Sequence, residues 1–104
     1  YCSALPVAYS SLPAHRWASF ATLVLEGAYE ATLWAAALNA QQTGSQVVFL
    51  TALGGGAFGN EEAWIDAATR RALALVRDVR LDVRLVSWGQ PSPRLERIAR
   101  DFAA

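Results

Sequence analysis

Residues 47–64 read VVFLTALGGGAFGNEEAW: an apolar run, a glycine cluster and the start of an amphipathic pattern, with no spacer between them. The run at residues 47–53 is unbroken in β-branched, aromatic and aliphatic side chains, which is the composition of strands covered on both faces of a parallel sheet. After the glycines, Asn60 stands where a helix N-cap belongs, and Trp64, Ile65, Ala68, Ala72, Leu75 and Val76 form one apolar stripe behind it. Glu61 and Glu62 would sit in the first turn, where the helix dipole favours negative charge. Strand, glycine loop and helix N-terminus in that order make an anion-binding edge: residues without Cβ let the backbone approach closely, and the helix directs N–H groups outward.

Upstream of this stretch, residues 13–42 place Trp17, Phe20, Ala21, Val24, Ala28, Ala31, Ala35 and Leu38 three and four apart, which predicts a long helix. Gly44 is in position to close it, and Gly27 inside it costs about 1 kcal/mol against alanine unless it serves close packing or a bend. Residues 1–9, YCSALPVAY, read as a short buried strand with Pro6 setting its end near Leu5. Downstream, residues 81–88, LDVRLVSW, are apolar at 81, 83 and 85 and predict a third strand; residues 93–102 predict a last short helix. The order β-α-β-α-β-α predicts a single α/β domain over residues 1–104 with parallel strands and right-handed crossovers.

Composition narrows the function. A chain that is 54% hydrophobic and 17% charged folds rather than staying disordered. Nine arginines and no lysine balance nine acids, so no net field invites nucleic acid or an anionic membrane. Arg70, Arg71, Arg77, Arg80 and Arg84 read as solvated charges. One cysteine, Cys2, and one histidine, His15, supply neither an internal disulfide nor a zinc ligand set, and no bound metal or cofactor is expected. Neither a signal-peptide pattern nor an apolar run of membrane-spanning length is visible, so the expected location is cytoplasmic. The lack of methionine and the apolar opening at Tyr1 read as a chain that begins inside a longer protein.

The glycine pattern fits several phosphate-binding loops unequally. Gly54, Gly56 and Gly59 satisfy G-x-G-x-x-G, but a dinucleotide fold also needs an acid at the end of the next strand, where Ser87 and Trp88 stand. A Walker loop needs lysine, which the chain lacks, and no G-x-S-x-G elbow is present. Trp88 ends its strand on the glycine-loop edge and is a candidate to stack on a base or ribose, with plain packing as the alternative. Trp17, Trp34 and Trp64 read as core or interface residues.

The run VVFLTALGGGAFGNEEAWIDAATRRAL, preceded by YEATLWAAALNAQQTGSQ and followed by LDVRLVSW, resembles the C-terminal half of a macrodomain. The resemblance implies a three-layer α/β/α fold with a mostly parallel sheet, of which this chain is the C-terminal portion. It also implies ADP-ribose or a derivative as ligand, with the amides of Gly54, Gly55, Gly56, Ala57, Phe58 and Gly59 on the diphosphate and Phe58 against the distal ribose. Asn60 replaces the aromatic residue common after the last loop glycine, and the AFGN ending is more similar to poly(ADP-ribose) glycohydrolase-type macrodomains. Those enzymes carry a catalytic glutamate after a separate glycine motif. Glu61 and Glu62 follow the wrong loop for that role, so a hydrolase activity would draw its catalytic groups from outside this chain. A structural or interaction module, in which the loop is only a tight connection, is the third possibility. In the macrodomain order a strand from the other half lies between the strands matching residues 1–7 and 47–53. The resemblance therefore implies a partner chain or a homo-oligomer that completes the sheet.

Overall fold

A computed structural model describes residue 4 and residues 14–52, 60–87, 89–90 and 92–102. The elements are α1 (Ala14–Thr43), β1 (Val47–Leu50), α2 (Glu62–Leu75), β2 (Asp82–Leu85) and α3 (Pro93–Asp101). The expected first strand lies outside the described residues, apart from Ala4, which is buried in the core. Strands β1 and β2 pair in parallel, Val47 opposite Asp82 through Leu50 opposite Leu85, with α2 as the crossover. The chain is therefore mixed α/β, with a small parallel sheet and three helices among the described residues.

α1 runs 30 residues without a break. At 1.5 Å per residue that is about 45 Å, so the helix spans the long dimension of a molecule measuring 45 × 27 × 20 Å. Gly44, at φ +80°, ends it by donating its N–H to the Ala40 carbonyl at 2.9 Å, a conformation that side chains with Cβ rarely adopt. Gly27 receives no neighbour, since a Cβ built there meets nothing within 4 Å. Gly27→Ala is expected to stabilise the chain by about 1 kcal/mol, by lowering the entropy of the unfolded state. Urea unfolding in dilute solution measures this, and a destabilised variant would show that the glycine serves a contact.

The face of α1 that packs inward differs from the one its periodicity suggests. Ala21, which the periodic stripe includes, is buried together with Leu25, Tyr29 and Leu33, whereas Phe20, Leu38 and Trp34 are 53%, 59% and 42% exposed and Ala31 and Ala35 are also exposed. α1 is apolar on nearly every side, so spacing alone cannot choose its buried stripe. The choice is made by α2, whose buried residues are Ile65, Ala68, Thr69, Ala72 and Leu73, with Val76 beyond its last turn. Leu75, assigned to the α2 stripe by its spacing, is 46% exposed, at the flank of the buried stripe. Thr69 tolerates burial because its hydroxyl donates to the Ile65 carbonyl at 2.7 Å. At the rim, Arg71 holds Glu30 at 2.6 Å and Glu26 at 3.7 Å, clipping α2 to α1; the hydrogen bond to Glu30 raises the pKa of its guanidinium further.

The two faces of the sheet differ. Val48, Leu50, Val83 and Leu85 turn toward the helices and join the core, while Val47 and Phe49 are 40% and 61% exposed on the other face. Asp82 and Arg84 are exposed there as well, with Arg84 bonded to Asp82 at 2.8 Å and 6.0 Å from the Phe49 ring centre. The expectation that residues 47–53 form a strand covered on both faces is met in part: β1 ends at Leu50, and the described residues cover one face of it. The alternation along β1 leaves Val47 and Phe49 on the exposed face. Alongside β2, α3 leaves a groove of about 520 Å³ lined by Val76, Val79, Val83, Ile98 and Phe102.

Candidate functional site

The expected ligand edge is the carboxyl end of β1 and β2, and sequence builds it from three directions. α1 contributes Tyr29, buried and donating its hydroxyl to the Thr51 carbonyl just past β1. This bond ties the end of β1 to α1. α2 brings its N-terminus to the same edge. Glu61, still extended at φ −69° and ψ 142°, holds the N-cap position, and its carbonyl accepts from the N–H groups of Trp64 and Ile65 at 3.0 and 3.2 Å. The helix therefore starts one residue later than a cap at Asn60 would place it. Asn60 is instead a buried residue, 5% exposed, in the approach to α2.

α3 brings the third contribution. Ser92 caps it by accepting from Leu95 N–H at 3.2 Å, Pro93 presets the first turn, and Arg94 reaches back to Glu62 at 3.1 Å. At the far end Asp101 meets Arg70 at 2.8 Å, so α2 and α3 run side by side with both N-termini at the carboxyl edge of the sheet. Between them lies a cavity of about 80 Å³ whose wall includes Thr51, Leu85, Glu62, Asp66, Ser92 and Arg94.

Of the residues expected to hold a ligand, Gly54, Gly55, Gly56, Ala57, Phe58, Gly59 and Trp88 lie outside the described residues; Asn60 lies within them, at the mouth of α2. Arg94 is the cation that sequence reasoning passed over. Nothing in its local pattern separates it from the other arginines, and only the packing of α3 beside α2, 32 residues earlier, brings it to the edge. Its consequence is electrostatic. Glu62 would oppose an anion at the α2 N-terminus, and Arg94 compensates that charge on site.

Among the described residues no group of three or more His, Cys, Asp or Glu is placed to hold a metal ion, and no helix is long and apolar enough to cross a membrane. Compared with known proteins, the chain matches no family model, no curated protein and no solved structure.

Proposed function

We propose that this chain binds ADP-ribose, or a derivative of it, through the segment of residues 54–60 at the carboxyl end of β1. The observation that supports this reading is the convergence of two parallel strand ends and two helix N-termini at the edge from which the glycine-bearing segment departs. Open α/β sheets bind ligands beyond the carboxyl ends of their strands, and helix N-termini favour the negative charge of a diphosphate. The loop amides take the diphosphate, Phe58 covers the distal ribose, and Trp88 stacks at the rim. Arg94 exchanges its bond to Glu62 for one to a phosphate oxygen.

Thermal unfolding with ADP-ribose, ADP or ribose 5-phosphate tests this reading. A ligand that binds only the folded state stabilises it by RT ln(1 + L/Kd), where L is its free concentration, so at equal concentration the tighter ligand raises the midpoint more. ADP-ribose is expected to raise it more than either fragment at equal concentration; equal or absent shifts would contradict the reading. Arg94→Gln, which keeps the polar stem and removes the charge, is expected to weaken ADP-ribose binding about tenfold, corresponding to ~1.4 kcal/mol for one charge-assisted bond. Unchanged affinity would remove Arg94 from the site.

The same reading carries a polypeptide partner. Two parallel strands among the described residues, with Val47 and Phe49 exposed on one face, are short of the burial that parallel sheets normally have. A further chain, or a second copy, that adds strands to the outer edges and covers Phe49 would complete a three-layer α/β/α domain.

A further inference from the structure

We infer that the outer face of α1 is a self-association surface, on which a second copy of this chain packs its own α1 antiparallel about a two-fold axis level with Tyr29. Phe20, Leu23, Gly27, Ala31, Trp34 and Leu38 recur at three and four and are all exposed, Leu23 by 63%, so they form a second apolar stripe on the helix. Read from either end, the stripe runs large, large, small, small, large, large. An antiparallel copy therefore sets Phe20 against Leu38, Leu23 against the Trp34–Ala35 turn and Gly27 against Ala31. Bulky ends meet bulky ends, and the two backbones approach at the small residues in the middle. An isologous pairing needs this self-complementarity, in which each contact occurs twice.

Charge and area support the same occupant. The stripe itself carries no charge from Phe20 to Leu38, and the two acids beside it, Glu26 and Glu30, are engaged by Arg71 on the inner side. The open sheet face, by contrast, sets the Arg84–Asp82 pair beside Phe49. Each of the four large side chains exposes on the order of 100 Å², given the size of such residues. Two copies with their flanking alanines therefore bury roughly 1,000 Å², the lower bound for a specific interface. The pairing is a weak, concentration-dependent dimer, independent of the ADP-ribose site and of sheet completion.

Sedimentation equilibrium of the whole chain over a wide concentration range tests the pairing. A reversible monomer–dimer equilibrium is expected, with Leu23→Glu raising its dissociation constant at least about tenfold and Leu75→Glu, at an exposed position of α2, leaving it unchanged. A Cys2→Ser background then tests the register: a mixture of Leu23→Cys and Ala35→Cys chains is expected to oxidise to the mixed disulfide, while neither cross-links with itself. The cross-link reads the register even if the charged variant unfolds. A monomer at every concentration, a dimer broken by Leu75→Glu and not by Leu23→Glu, or cross-links between like positions would each overturn the pairing.

Discussion

Leu33→Ala is expected to lower the unfolding free energy by about 3 kcal/mol, whereas Leu38→Ala, five residues along the same helix, changes it by less than about 0.5 kcal/mol in dilute solution. Leu33 is fully buried against α2 and leaves a cavity that a close-packed interior fills poorly, while Leu38 is 59% exposed. For a chain of this size the difference corresponds to roughly 15–20 °C in melting temperature. The pair of variants decides between the two candidate faces of α1, since periodicity places Leu38 in the core and the structure places Leu33 there. Thermal and urea unfolding measure both, and equal destabilisation would show that the helix is rotated from the orientation described above.

Gly56→Val is expected to weaken ADP-ribose binding at least about 100-fold, or ~2.7 kcal/mol. A branched Cβ at the centre of the glycine cluster holds a phosphate oxygen away from the amides that the proposed site uses, and hydrogen bonds to a charged oxygen weaken steeply with distance. The circular dichroism spectrum is expected to remain that of the parent chain, because the core is built from α1, α2 and the inner sheet face. Calorimetric titration of the variant beside the parent measures the effect. Parent-like affinity would show that the loop does not carry the ligand.

The punctuation of the fold was legible in the sequence because it depends on local chemistry. Gly44 closes α1 through its left-handed conformation, Pro93 opens α3, and the alternation at 81, 83 and 85 marks the inner face of the β2 segment. What escaped was tertiary in origin. An all-round apolar helix offers two stripes, and only docking on α2 selects Leu25, Tyr29 and Leu33. The run at residues 47–53 reads as doubly buried because Phe49 and Val47 are as apolar as Val48 and Leu50, although only the latter two meet helices. Asn60 fits the composition of a cap, but the chain stays extended through Glu61 and moves the helix start beyond it. At the candidate site the glycine cluster, read from its backbone chemistry, lies outside the described residues. Arg94 was not legible, because its partner Glu62 lies on another helix.

The most direct test of the central claim is isothermal titration of ADP-ribose into the folded 104-residue chain, with cooperative unfolding verified on the same sample. The proposed site predicts saturable heat with one ligand per chain, lost in Gly56→Val. No saturable heat from the folded chain would contradict it.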